Sequence, residues 1–376
     1  MEEIPWVIDE HTKVKHELLR KYIATWMAIL FNQQERMGIP PQLLYFDGFS
    51  GPGIYYAEPT KTSTCLGSPL IVGEIANKFL DEKGKREFSI ICIDKEQKCV
   101  DILNEGLRAV DKHDQKWMSE CGEFDSSINQ LLDDLKKHGD ALRPAFFLID
   151  PFGYSGFHMN TLKRILENER SELFINFMIY DIIRFIGEEN FQQRMKQLFG
   201  CNDYNDVSGM RSSEEKQQFL VNLYCKQLHE YAGAKYVMPF RINTPGKGTR
   251  PRYYLIHASN HIKALKAMKD NMAKVSDAPY RFEAIGITSQ RGFFEDPNKE
   301  SLREMIKDYC KEIYPESIDY SRLEGWAYSN TNGVARTIKE ALLELEQGKI
   351  VEIRRKEKQR NTTVTEGAMI KYKENR

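Results

Sequence analysis

A chain of 376 residues exceeds what one hydrophobic core usually serves, which predicts a large domain and a smaller one. Its formal net charge of −1 excludes an overall basic field, so any surface for nucleic acid must be local. Seven cysteines, at 65, 92, 99, 121, 201, 225 and 310, form no C-x-x-C pair, which argues against a disulfide framework or zinc site and for the reducing cytoplasm. No apolar run reaches the ~18 residues of a membrane span, and no signal peptide or membrane partner is expected.

Residues 11–36 predict a long amphipathic helix, with Leu18, Leu19, Tyr22, Ile23, Trp26, Ile29 and Leu30 at helical spacing. His11, Lys13, Lys15, His16, Arg20 and Lys21 load its first half with basic groups. Such a run reads as a solvated face, or as one that sets His16 or Lys13 over a ligand crevice. Residues 43–46, LLYF, have the composition of a buried strand, which Asp47 ends. Gly48, Phe49, Gly51 and Gly53 follow, and glycines so spaced allow positive φ angles and close approach of backbone N–H groups to a ligand. The loop suits a dinucleotide pyrophosphate, the amino-acid end and ribose of S-adenosylmethionine (SAM), or a plain tight turn. A polar insert, 54–66, reads as a lid or an ordinary excursion before the next helix at Gly67-Ser68-Pro69.

Residues 88–93, FSIICI, predict a second strand ended by Asp94, placed to accept from ribose hydroxyls or to cap the following helix. A weaker strand covers 117–122. Residues 145–149 predict a fourth, with Asp150-Pro151-Phe152-Gly153 at its carboxyl end, where open α/β sheets bind ligands. Residues 173–177 predict a fifth strand, 190–231 are helical in pattern, and 235–242 with 252–257 predict a hairpin. The hairpin loop carries Lys247 and Arg250, flanked by Arg241, in a stretch without acids, which suits phosphate contacts or a solvated turn. Beyond about 281, helices at 301–314 and 333–347 precede strands at 349–354 and 362–372, the plan of a winged helix. Residues 348–376 hold nine Lys/Arg and four Glu, including Arg354 and Arg355, a local basic footprint for nucleic acid or for protein docking.

These pieces resemble a family. His16-Glu17-Leu18-Leu19 with Tyr22 and Trp26, FDGFSGPG, Gly67-Ser68-Pro69, DPFG, and Phe174-Ile175-Asn176-Phe177 with Arg184 are similar to the three-Cys-motif partner proteins of bacteria and archaea, over most of 11–275. The glycine loop with an acid-Pro-Phe turn also resembles class I SAM-dependent methyltransferases that modify exocyclic amines of bases. The resemblance implies an α/β, Rossmann-like sheet, mostly parallel and closed by an antiparallel hairpin. Together with the pattern beyond 281, it divides the chain into an N-terminal helical segment (1–36), a SAM-binding domain (37–280) and the winged-helix-like domain (281–376). It implies SAM held by Asp47, Gly48, Phe49, Gly51, Gly53, Asp94 and Asp125, the last reading the adenine amine. Asp150, Pro151, Phe152 and Gly153 would form the acceptor turn, with Arg184, Arg241, Lys247, Arg250, Arg354 and Arg355 toward RNA or DNA. DPFG departs from the commoner D-P-P-aromatic turn and resembles that of tRNA dimethylguanosine methyltransferases, which favours guanine N2. The competing expectation is a non-catalytic SAM- or nucleotide-binding partner of a radical-SAM-like three-Cys-motif protein.

Overall fold

The computed structural model describes residues 4–81, 84–153, 155–242, 253–275, 283–284, 299–357, 360 and 362–374. The chain divides into two compact units, 1–281 and 282–376. Among the described residues no helix is long and apolar enough to cross a membrane.

The first unit is built on a mostly parallel sheet. Its strands are β1 (Gln42–Asp47), β4 (Glu87–Asp94), β5 (Trp117–Cys121), β6 (Ala145–Ile149), β7 (Ser171–Phe177), β8 (Tyr236–Ile242) and β9 (Tyr253–Ser259). They lie in the order β8-β9-β7-β6-β1-β4-β5. The pairs β5–β4–β1–β6–β7 are parallel, and β9 runs antiparallel to both β7 and β8. β6 and β7 are buried at every position, so the apolar residues of 145–149 and 173–175 show no alternation. The chain moves outward from β1 through β4 to β5, then crosses back to β6. A ligand crevice is expected at that reversal, outside the carboxyl ends of β1 and β6.

Helix α1 (Glu10–Arg36) begins at Asp9, whose Oδ1 accepts from the Thr12 amide at 2.6 Å. One buried carboxylate sets its rotation. Glu172, near the start of β7, accepts from the Tyr22 hydroxyl and from Trp26 Nε1 (3.1 Å), and its Oε2 lies 3.0 Å from His257 Nε2 on β9. A buried carboxylate without such partners would cost several kcal/mol, so these contacts lock α1 to the sheet face. The lock fixes where the first turns of α1 fall, at the other edge of the sheet.

The 54–66 insert forms a small antiparallel hairpin, β2 (Ile54–Tyr56) with β3 (Thr64–Leu66). Helix α2 (Ser68–Ala76) follows with Pro69 in its first turn. Helices α3 (Gln97–Val110), α4 (Phe124–His138) and α5 (Met159–Leu166) connect the parallel strands, α6 (Ile179–Phe185), α7 (Gln192–Phe199) and α8 (Ser213–Glu230) lie between β7 and β8, and α9 (Ile262–Val275) follows β9.

From residue 299 onward, the second unit runs helix, strand, helix, helix, strand, strand. Its helices are α10 (Lys299–Ile313), α11 (Tyr320–Asn330) and α12 (Ala335–Gln347). Strand Met369–Tyr372 pairs antiparallel with both Ser317–Asp319 and Val351–Arg354. Strand Ser317–Asp319 and helix α11 are additions to the pattern read from sequence. Asp319 starts α11 by accepting from the Ser321 amide at 2.8 Å.

Candidate functional site: a crevice at the carboxyl edge of the sheet

Three acids end three adjacent strands at one edge. Asp47 closes β1, Asp94 closes β4, and Asp150 follows β6. The glycine loop turns out of β1 with Gly51 at φ +56° and Gly53 at φ +71°. A side chain at 53 would bring its Cβ within 2.4 Å of Leu103 Cδ1, and Gly67 closes on the same residue with its amide 2.6 Å from the Gly53 carbonyl. Both the backbone angle and the packing therefore require glycine there. Asp94 ties the loop to the next strand. Its Oδ2 accepts from the Gly51 amide (2.8 Å) and its Oδ1 from the Glu96 amide (2.9 Å). It does not cap α3, whose N-cap is Glu96. A carboxylate has about four lone-pair sites, so two remain for a ligand.

Asp47 is fully buried. It accepts from Ser68 Oγ (2.7 Å), the Tyr45 hydroxyl (2.9 Å) and the Phe49 amide (3.3 Å). Burial pushes its pKa up to about 6, and the donors from Ser68, Tyr45 and Phe49 only partly offset this. Asp47 thus braces the loop from beneath. Phe49 stacks on Phe124, which also fills the space a side chain at Gly48 would need.

Asp150 carries two contacts. Lys15 Nζ lies 2.6 Å from Oδ2, and Asn176 Nδ2 donates to Oδ1 at 2.5 Å. Lys15 also lies over the Tyr253 ring, 5.8 Å from its centre. Asp150 caps no helix, because α5 starts only at Met159 with His158 as N-cap. Beyond Pro151, Phe152 is 78% exposed and Gly153 takes φ +99°. The Phe152 ring meets Trp6 edge-on with centres 5.5 Å apart. Trp6 reaches across to the glycine loop as well: a Cβ built at Gly51 would stand 3.3 Å from its Cζ3. The 54–66 hairpin holds Trp6 there, through Tyr56 N to Trp6 O (2.8 Å) and Ile8 N to Tyr56 O (2.9 Å). Tyr55 of the same hairpin packs against His16, ring centres 5.7 Å apart. Burial and the neighbouring Lys15 lower the His16 pKa to about 4, so the ring is neutral near pH 7. The roof of the crevice is therefore the N-terminal segment, the first turns of α1 and the insert.

A polar cavity of about 260 Å³ opens on the β4–β5 side, lined by Lys95, Glu123, Gly156, Phe157, His158 and Arg194 among others. Asp125 stands beside it but is committed. Its Oδ1 accepts from the His158 amide (3.1 Å), and its Oδ2 lies 3.2 Å from His158 Nδ1. These contacts make Asp125 a brace for the 155–158 loop. Burial raises its pKa, and the His158 and Thr161 contacts work against that rise. Glu123 is the more exposed acid and pairs with Lys95 at 2.9 Å.

The basic residues separate. Arg184 is exposed on α6 (Ile179–Phe185), its guanidinium 5.1 Å from the centre of the Phe185 ring. Arg241 is only 9% exposed within β8, a poor position for a phosphate reader. Lys247 and Arg250 lie outside the described residues. In the second unit, Arg354 is largely exposed beside Glu352 (2.9 Å), whereas Arg355 forks onto Glu346 at 2.7 and 2.6 Å. Arg355 is corrected from a nucleic-acid contact to an internal tie. Sequence reasoning gave no role to Trp6, Tyr55 or Asn176, and set Lys13 rather than Lys15 beside the crevice.

No family model matches the chain, and no curated protein matches its sequence. Among solved structures, Trm1 from Pyrococcus horikoshii in complex with SAM is 12% identical, with TM-score 0.33, over 98% of this chain and 94% of that one. Human methyltransferase-like protein 13 in complex with SAH is 11% identical, with TM-score 0.35, over 77% and 97%. A protein from Legionella pneumophila is 11% identical, with TM-score 0.38, over 72% and 96%. At these scores none of the likenesses assigns a function to this chain.

Proposed function

We propose that the chain is a SAM-dependent methyltransferase acting on an exocyclic amine of a nucleobase in RNA or DNA, with guanine N2 in RNA the favoured target. The observation that carries this reading is the meeting of glycine loop and acid: Gly51, at positive φ, bonds Asp94 at 2.8 Å, one strand from Asp150 on the other side of β1. Asp94 retains lone pairs for two ribose hydroxyls, and its chain neighbour Lys95 lines the 260 Å³ polar cavity. The residues thus fit SAM at Phe49, Gly51, Gly53 and Asp94, with Asp47 bracing the loop. Bound there, SAM would supply an electrophilic methyl group.

The acceptor side is the DPFG turn. Asp150 and the Pro151 carbonyl take hydrogen bonds from the amine and so orient its nitrogen. Phe152, exposed at the tip of the turn, packs on the face of the base. A base inside a duplex does not reach such a turn, so a flipped or single-stranded base is implied. Alignment and exclusion of water supply most of the rate, with no strong base required. The second unit is read as a winged helix, which its helices and short strands support, and its basic end would hold the nucleic acid. The test is calorimetry with SAM, followed by transfer of labelled methyl groups to tRNA, rRNA and DNA. Absence of SAM binding removes the reading, and binding without transfer leaves a SAM-holding partner subunit. The observation that favours this second reading is Lys15, which already engages Asp150.

A further inference from the structure

Asn176 presents an unusual buried acceptor. It sits near the end of β7 and is 4% exposed. Its Nδ2 faces Asp150 Oδ1 at 2.5 Å and Met178 Sδ at 3.4 Å, while its Oδ1 has no hydrogen-bond partner. Turning the amide over gives no relief, because it would set the oxygen against a carboxylate oxygen. A buried acceptor left unpaired carries the full desolvation penalty of the group. Lys15 stands on the other side of the same carboxylate, 2.6 Å from Oδ2. Asp150 is thus flanked by a cationic donor at Oδ2 and by an amide at Oδ1 whose own oxygen is unpaired.

We propose that Lys15, Asp150 and Asn176 together read the Watson–Crick edge of a guanine, with Asn176 the residue that recognises its exocyclic amine. Guanine presents O6, N1–H and the N2 amine in that order. Lys15 meets O6, Asp150 meets N1–H and one amine hydrogen, and the orphan Oδ1 of Asn176, in place of the Pro151 carbonyl, takes the other amine hydrogen. The other bases fail at a named atom. Adenine and cytosine set a ring nitrogen acceptor against Asp150. Uracil sets a carbonyl oxygen against Asn176 Oδ1. Each failure leaves like partners facing in a part-buried site, where Lys15 and Asp150 are only 15% and 26% exposed. Asn176 Oδ1 is covered, so the base enters through a local opening, and pairing that oxygen offsets part of the cost. The inference rests on the methyltransferase reading only in placing a base in this crevice.

The test is calorimetry on the full chain, with and without SAH, using GMP, IMP, AMP and UMP. IMP keeps O6 and N1–H but lacks the amine, so it isolates Asn176. GMP should bind at least about tenfold more tightly than IMP, and AMP and UMP should be weaker still. Asn176→Ala should bring the GMP-to-IMP ratio close to one and leave SAM affinity unchanged. Lys15→Met should weaken GMP and IMP alike. The ranking in the unmodified chain stands even where a variant does not fold. Equal affinity for GMP and IMP, AMP or UMP as tight as GMP, no GMP binding to a protein that binds SAM, or an unchanged ratio in folded Asn176→Ala would each overturn the proposal. Failure to bind SAM with the nucleotide ranking intact instead removes the methyltransferase reading and leaves the guanine site.

Discussion

Lys15 and Asp150, 135 residues apart in the chain, meet across the crevice with Nζ 2.6 Å from Oδ2. The pairing decides how an Asp150 variant must be interpreted, because removing the carboxylate also strips a part-buried ammonium of its anionic partner. Asp150→Ala should abolish methyl transfer with SAM affinity nearly intact, since the cofactor contacts lie at the other two strand ends. The loss should fall on kcat, because orientation of the amine matters most in the transition state. Asp150→Asn should lose less, as its carbonyl still accepts a hydrogen bond. The double variant Lys15→Met/Asp150→Ala should recover most of any lost thermal stability but none of the activity. Transfer by folded Asp150→Ala at the unmodified rate would remove it from the reaction.

Asp94→Ala should weaken SAM binding. A charged acceptor for two hydroxyls is worth about 1.5–3 kcal/mol, about a tenfold to hundredfold change in affinity. The same substitution frees the Gly51 amide, so the loop loosens as well. Calorimetry with SAM on the folded variant measures both effects together. An unchanged Kd would place the ribose elsewhere.

The strand-end acids were legible because each follows a short apolar run, and a buried strand has to end where charge begins. The DPFG turn stood out for the same reason. The roof was not legible. Lys15 belongs to a run of basic residues that local pattern assigns to solvent, and only the contacts of Tyr22 and Trp26 with Glu172, about 150 residues on, turn it inward. Trp6 is positioned by backbone pairing to Tyr56, a tertiary contact without periodicity. The contact of Asp125 with His158, 33 residues away, is likewise one that no local pattern shows. Strand Ser317–Asp319 is too short to carry a pattern, although Asp319 as a helix cap was a readable signal.

Arg354 and Arg355 are neighbours on the chain with opposite fates, as side chains at and just beyond the end of a strand point to opposite faces. Arg354→Ala should lower affinity for RNA or DNA, reduce the slope of binding against salt by about one, and leave Tm unchanged. Arg355→Ala should lower Tm, because a two-pronged, 9%-exposed contact with Glu346 is lost, at about 1.5–3 kcal/mol. Binding titrations at several salt concentrations with thermal melts separate the two. Equal effects of both variants on Tm would contradict the assignment.

Asp47 and His16 give the crevice opposite responses to pH. The folded pKa of Asp47 is raised, to about 6 from 3.8. Its favourable contribution is complete below 3.8 and is lost as pH rises through 6. His16 is shifted the other way, to about 4 from 6.5. Its contribution is present above 6.5 and is lost as pH falls through 4. One pKa unit corresponds to about 1.4 kcal/mol, so the buried Asp47 accounts for about 2–3 kcal/mol between pH 4 and 7. His16 is partly exposed, which reduces its share to about 1–2 kcal/mol. Asp47→Asn should therefore gain stability relative to the unmodified chain as pH rises from 4 to 7. His16→Phe, which keeps a ring against Tyr55, should gain relative stability as pH falls from 6.5 to 4. Denaturant titrations at half-unit pH steps measure both. Curves that stay parallel to the unmodified chain across these windows would mean that neither group titrates as its surroundings dictate.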